Sequence, residues 1–141
     1  MKYEHELEIE RPPEDVYAFL ADPENLPKWQ NEVLEVRREG ETRFTEVRTF
    51  VGRRVESTID VTSAEPPREL ALRAAAGPVR FSVRHLLEPA GEGRTRLRIV
   101  GEAEGAGGIF KLGGTLLRRA VERRARDDFE RLKQLLESQS L

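Results

Sequence analysis

Polar and apolar residues alternate along most of this chain, most clearly over residues 2–10. The even positions there are Lys or Glu, whereas the odd positions are Tyr3, His5, Leu7 and Ile9. Because successive side chains of a strand point to opposite faces, this pattern predicts a strand with one buried and one solvent-facing side. His5 falls on the buried side.

The segment after this strand has helical spacing. Arg11-Pro12-Pro13 ends the strand, and Val16, Phe19 and Leu20 then follow at the i, i+3, i+4 spacing of an apolar helix face. Asp22-Pro23 is a typical helix start, with a capping side chain followed by proline at the first helical position. We therefore expect two short helices directly after strand one.

Residues 33–104 form short alternating segments separated by turns that contain Gly or Pro, which is typical of an antiparallel sheet. The six strands predicted there are 33–39, 42–51, 54–64, 69–76, 79–88 and 95–104.

A long helix is predicted after the Gly-rich residues 105–108. Residues 109–138 have an apolar stripe at helical spacing that includes Leu117, Val121 and Phe129. Asp128 lies inside this stripe, where a carboxylate needs an ion-pair or hydrogen-bond partner.

These elements predict the fold. A sheet with one apolar face and a long amphipathic helix bury their apolar surfaces against each other. We expect an α+β fold in which a curved seven-stranded antiparallel sheet wraps around the C-terminal helix, with the two short helices closing one end. We expect a cavity between sheet and helix, and a single domain over residues 1–141.

The composition excludes several kinds of chemistry. The chain has no Cys and two His, which excludes disulfides, thiolate catalysis and metal sites built from Cys or three imidazoles. The formal net charge is −2, so no nucleic-acid partner is predicted. We see neither a signal peptide nor an apolar stretch of about 20 residues, and expect a cytoplasmic protein without an integral membrane segment. No metal or cofactor is predicted.

Local segments at turns and helix starts carry a family resemblance. These segments are Ile9–Leu20, Asp22–Trp29, Glu65–Leu70, Leu87–Pro89 with Gly93–Leu97, and Phe129–Lys133. Together they resemble the START-like, or SRPBCC, helix-grip superfamily, and most closely its bacterial polyketide cyclase/dehydrase-type members. The resemblance covers essentially the whole chain. It implies that strand one and the penultimate strand both border the last strand, so that His5 and His85 could face one cavity.

Three functions remain open, because this superfamily includes carriers, enzymes and co-chaperone domains. The first is binding, or transport, of an apolar or aromatic lipid-like small molecule in the cavity. The second, implied by the resemblance, is a cyclase/dehydratase-like enzyme in which His5 or His85 is the general acid or base. The third is a protein-partner-binding domain with a filled core. The Arg-rich last helix could also contact anionic lipid transiently.

Strand parity and helix phase predict the cavity lining. The predicted residues are Tyr3, His5, Leu7, Ser57, Ile59, Leu72, Ala74, Phe81, Val83, His85, Ile99, Leu117, Val121 and Asp128. Apolar burial would supply most of the binding free energy, and the imidazoles and Ser57 would orient the ligand. The structural alternative is that His5 and His85 are hydrogen-bonded core residues and that Asp128 is paired with an arginine.

Overall fold

A computed structural model describes residues 2–50, 52–76, 79–104 and 114–138. The described elements, in chain order, are β1 (Lys2–Ile9), α1 (Pro13–Ala21), a 3-10 turn (Pro23–Asn25), α2 (Leu26–Trp29), β2 (Val33–Arg38), β3 (Arg43–Phe50), β4 (Arg53–Glu65), β5 (Glu69–Ala76), β6 (Val79–Pro89), β7 (Thr95–Glu104) and α3 (Gly114–Ser138).

The seven strands form one antiparallel sheet in the order β1-β7-β6-β5-β4-β3-β2. Strands consecutive in sequence are neighbours from β2 to β7, and β1 pairs with β7. The predicted helix-grip architecture is therefore confirmed, including the position of β7 between β1 and β6.

The predicted boundaries agree with the structure to within one or two residues for the strands. The second short helix differs, because its first turn is a 3-10 turn and only residues 26–29 are α-helical. Asp22 caps this turn as predicted, since its Oδ1 accepts a hydrogen bond from the Glu24 N–H at 3.0 Å. The long helix begins at Gly114 in the described residues, and the predicted helical residues 109–113 lie outside them.

One face of the sheet, called here the inner face, packs against the helices. Its best-buried part, which we call the closed half, contains Ile9, Leu97, Leu87 and Leu7, all at most 8% exposed. The second half of α3, residues 127–138, covers this region with side chains of the predicted apolar stripe. The buried members of that stripe are Phe129, Leu132 and Leu136.

Polar contacts anchor the C-terminal end of α3 to the start of the chain. The buried Arg11 guanidinium donates to the Leu136 carbonyl at 2.7 Å, which satisfies a carbonyl at the helix end. Lys133 Nζ donates to the Glu8 carbonyl at 2.8 Å, and Glu137 accepts from the Glu10 N–H at 2.9 Å. The helix is therefore fixed at the closed half.

Across the described parts of the chain, no helix has both the length and the apolar character required to span a membrane.

Candidate ligand-binding site

The two histidines lie in one row of the sheet. His5 of β1 is opposite Ile99 of β7, and Ile99 is opposite His85 of β6. Residues directly opposite in antiparallel strands share a face, so both imidazoles lie on the inner face. Phe129 of α3 contacts both of them, with ring-centroid distances of 6.3 Å to His5 and 6.1 Å to His85. The register thus brings the two histidines to either side of Ile99.

His85 is a satisfied core residue on one side of this row. Its side chain is buried, and Nδ1 lies 3.1 Å from the Leu70 carbonyl, to which it donates in the neutral tautomer. Burial lowers the pKa of His85 to about 4, and the hydrogen bond to Leu70 opposes this shift only in part. The imidazole is therefore neutral at pH 7, and Nδ1 is committed to the backbone.

His5 lies at a groove between β1 and the first half of α3, residues 114–126. This space, called here the β1–α3 groove, has a volume of about 350 Å³. The described residues that line it are Lys2, Tyr3, Glu4, His5, Arg118, Glu122 and Arg126.

Two buried polar atoms of the groove residues are without partners. Tyr3 Oη and His5 Nε2 are both inaccessible to solvent and form no hydrogen bond within the described structure. Burial raises the pKa of Tyr3, and burial followed by the charge of Arg126 lowers the pKa of His5. The phenol is therefore protonated and the imidazole neutral at pH 7, so that both can hydrogen-bond to a neutral or anionic group.

The inner face next to the groove is incompletely covered, and we call this region the open half. Its apolar residues on β5 and β6 are half-buried rather than buried: Leu72, Ala74, Phe81 and Val83. One row of the sheet there runs from Val83 through Gly101 to Tyr3. Because Gly101 has no side chain, no side chain of β7 lies between Val83 and Tyr3 in this row. A Cβ at Gly101 would meet only the Ser82 carbonyl at 3.8 Å and Tyr3 Cβ at 3.9 Å.

The predicted lining residues are thus distributed over several environments. Tyr3 and His5 line the groove, and Leu72 borders a second space of about 50 Å³ near Phe44. Leu7, Ile59 and Ile99 belong to the packed core, and Ser57, His85 and Asp128 are also buried. Ala74, Phe81, Val83 and Val121 are half-buried, and the Leu117 side chain lies outside the described residues. That these residues contact a ligand stays a prediction.

A polar pair on the inner face of β3 was missed by the sequence analysis. Glu46 is 4% exposed and accepts from Arg48 Nε at 2.5 Å, while Arg48 Nη2 donates to Gln30 Oε1 at 2.6 Å. The sequence does contain a signal for this pair. Phe44, Glu46 and Arg48 occupy every second position of β3, so their side chains lie on the same face of the sheet.

Asp128 is buried on α3, as its helix phase predicted. Burial raises the pKa of its carboxyl to about 6, and the nearby charges of Arg48, Arg124 and Arg131 oppose this shift. Within the described residues, no three His, Asp or Glu side chains are grouped so that they could hold a metal ion.

Comparison with solved structures supports the fold. A conserved protein from Geobacillus kaustophilus superposes with a TM-score of 0.84 at 22% identity, covering 96% of this chain and 95% of that one. The di-domain ARO/CYC BexL of the BE-7585A biosynthetic pathway superposes with a TM-score of 0.77 at 21% identity. That match covers 97% of this chain and 46% of BexL. Ara h 8.0201 superposes with a TM-score of 0.75 at 10% identity, with 99% of both chains covered.

The sequence comparison identifies the family. No curated protein matches this sequence. However, the sequence profile described as polyketide cyclase/dehydrase and lipid transport matches residues 1–137, which is nearly the whole chain. The chain therefore belongs to the polyketide cyclase/dehydrase and lipid transport family, an SRPBCC-type family of small-molecule-binding domains.

Proposed function

We propose that this protein binds an apolar or aromatic lipid-like small molecule between the open half of the inner face and the first half of α3. The observation that carries the proposal is the β1–α3 groove with two buried, unpartnered polar atoms, Tyr3 Oη and His5 Nε2. An unsatisfied buried polar group costs about 1–3 kcal/mol, and a ligand that hydrogen-bonds to it removes this cost.

The apolar part of the ligand would lie beside the groove, over Gly101. Val83, which is opposite Gly101, and Phe81, the neighbouring inner-face residue of β6, border this position and, being half-buried, still have surface to bury. Burial of apolar surface contributes about 25 cal/mol per Å², so covering these side chains is the main expected source of affinity. The family membership and the similarity to BexL, an ARO/CYC protein of a biosynthetic pathway, support a ligand of this class.

The first test is native mass spectrometry of the protein purified from its own host, before and after solvent extraction. A discrete additional mass that disappears on extraction is expected, and its value would indicate the class of ligand. A bare polypeptide mass, followed by no thermal shift with a panel of fatty acids, isoprenoids and polycyclic aromatics, would contradict the proposal.

One variant tests whether the ligand binds over Gly101. Gly101→Leu is expected to fold, because a Cβ fits at this position, and to fill the space between Val83 and Tyr3. It should abolish binding of any ligand found in the first test. Glu102→Leu is the matched control, since the exposed Glu102 is the next residue of β7 and faces the other side of the sheet. Equal binding by Gly101→Leu and wild type would exclude this position.

A second candidate function is catalysis by His5. His5 lines the groove and its buried Nε2 has no hydrogen-bond partner in the described structure, whereas His85 Nδ1 is bonded to the Leu70 carbonyl and His85 is not among the described lining residues. A neutral His5 could act as general base on a β-keto or hydroxyl substrate of cyclase/dehydratase type. His5→Gln should then lose turnover and keep ligand binding. Retained turnover in His5→Gln would exclude this role, and weaker binding without turnover in wild type would support the carrier.

A further inference from the structure

We propose that the ligand of the β1–α3 groove carries a carboxylate, which is bound by the Arg126 guanidinium and, after a rotation of the Tyr3 side chain that exposes its hydroxyl to the groove, by the Tyr3 hydroxyl. This inference deepens the proposed function and rests on it. It is argued from two observations: which charged residues of the groove have ion-pair partners, and which hydrogen-bond donors its lining residues supply.

Most of the charged residues that line the groove already have partners. Lys2 Nζ lies 4.0 Å from Glu4, and Arg118 Nε lies 2.9 Å from Glu122. Arg126 forms no ion pair within the described part of the chain, although acidic residues are frequent on α3. The described lining therefore has three cations and two carboxylates, and the excess positive charge is at Arg126.

Arg126 lines the same groove as Tyr3 and His5. Burial raises the pKa of Tyr3 and lowers that of His5; the charge of Arg126 lowers both, and the weaker influences of Glu122 on Tyr3 and of Glu130 on His5 raise them. The site therefore combines a guanidinium with several N–H donors and a phenol that donates one hydrogen bond. His5 adds a third donor in the tautomer that has its proton on Nε2.

A carboxylate satisfies these donors better than a neutral group does. Its two oxygens accept about four hydrogen bonds, and bonds between ionised partners are shorter and roughly twice as strong as neutral ones. The rest of the ligand would extend over Gly101 towards Val83, where apolar surface is half-buried. The groove thus selects an amphipathic acid.

The test compares acids with their neutral amides by isothermal titration calorimetry. Naphthoate and decanoate are measured against naphthamide and decanamide. We expect wild type to bind at least one acid about tenfold more tightly than its amide, since only the acid can form charge-assisted hydrogen bonds with the guanidinium of Arg126. Added salt should weaken binding of the acid and leave the amide unchanged, because Arg126 is exposed and its charge is screened.

Three variants assign the effect to residues. Arg126→Gln should remove the preference for the acid, and Tyr3→Phe should reduce it. Arg126→Lys should keep part of it, because lysine retains the charge without the planar fork. Arg123→Gln is the matched control, since Arg123 is also an exposed arginine of α3 but does not line the groove. It should bind like wild type.

The outcomes separate the two proposals. Equal binding of acid and amide by wild type would overturn the carboxylate and leave the proposed binding function intact. An equal loss in Arg123→Gln and Arg126→Gln would also overturn it, because the effect would then come from the general charge of the helix. If neither acid nor amide binds and no native ligand is found, both proposals fail.

Discussion

The closed and open halves of the inner face belong to the same strands and the same helix, yet they are covered very differently. In the closed half, Ile9 and Leu97 are fully buried and Leu132 of α3 has 0% exposure. In the open half, Phe81 and Val83 are half-buried, and Leu116 near the start of α3 is 77% exposed. The second half of α3 therefore stabilises the fold, whereas the first half borders the candidate site.

Two physical causes produce this difference. On β7 the inner-face residues Leu97 and Ile99 are large, whereas Gly101, two positions further along the same face, has no side chain. In addition, hydrogen bonds of Arg11 and Lys133 fix the C-terminal end of α3 against the closed half. The comparison shows how one sheet and one helix can separate a packed core from a binding space without a second domain.

The largest expected effect is on core packing, and it should differ between the two halves of α3. Leu132→Ala in the closed half is expected to lower the free energy of unfolding by about 2–5 kcal/mol, because it leaves a cavity in a packed core. Val121→Ala in the half-buried first half should cost less than about 1 kcal/mol. Chemical denaturation of both variants measures the contrast. Equal losses would remove the distinction between the halves.

The second prediction concerns pH, because two buried groups act in opposite directions. The pKa of Asp128 is raised from 3.8 to about 6, so the folded state holds this proton more tightly and the group lowers stability as pH rises through that range. The pKa of His85 is lowered from 6.5 to about 4, so this group raises stability over nearly the same range. Each contribution is on the order of 3 kcal/mol, and the two largely cancel.

Single variants should expose each contribution. Relative to wild type, Asp128→Asn should become progressively more stable as pH rises from 4 to 6. His85→Gln should become progressively less stable relative to wild type over the same rise. Urea denaturation at several pH values measures both difference curves. Difference curves that do not change with pH would show that the pKa values of Asp128 and His85 are not shifted in the folded state. The double variant gives the pH dependence that comes from the other groups.

The third prediction enlarges a side chain on β7 in each half. Leu97→Phe should destabilise the protein by about 1–3 kcal/mol, because Leu97 is fully buried and the core there has no space. Gly101→Leu should leave stability unchanged or raise it, since a Cβ meets only ordinary contacts there. Thermal unfolding of the ligand-free proteins tests this pair. A strong loss in Gly101→Leu would mean that the open half is packed as tightly as the closed half.

The smallest expected effect is that of the unpartnered phenol. Tyr3→Phe removes a buried hydroxyl that has no hydrogen-bond partner among the described residues, so the ligand-free protein should become more stable by about 1 kcal/mol, the lower end of the cost of an unsatisfied buried polar group. Chemical denaturation measures the change. A marked loss of stability would indicate that the hydroxyl has a structural partner, and the difference between the halves would then be smaller than described.

Much of the fold could be predicted from the sequence, because alternation and helical spacing are local properties. The alternation from Tyr3 to Ile9 predicted β1, and the phase of α3 placed Asp128 on a buried face. The site was only partly predictable. Parity placed Tyr3 and His5 on the inner face, but the buried pair Glu46 and Arg48 was missed because both faces of residues 43–50 mix apolar and polar residues, so that no face was assigned there.

The helices and strands, and the residues that lie on the same face of each, follow from backbone periodicity and could be predicted from the sequence alone. How completely each face is covered depends on what packs against it, which is a property of the tertiary structure. The apolar stripe of α3 runs from Val121 to Leu136 with Asp128 inside it, yet its two halves differ in burial, because the second half packs against the closed half of the sheet and the first half borders the groove. The same holds for Arg126, which resembles its neighbouring arginines in sequence and differs from them by lining the groove without an ion-pair partner in the described structure.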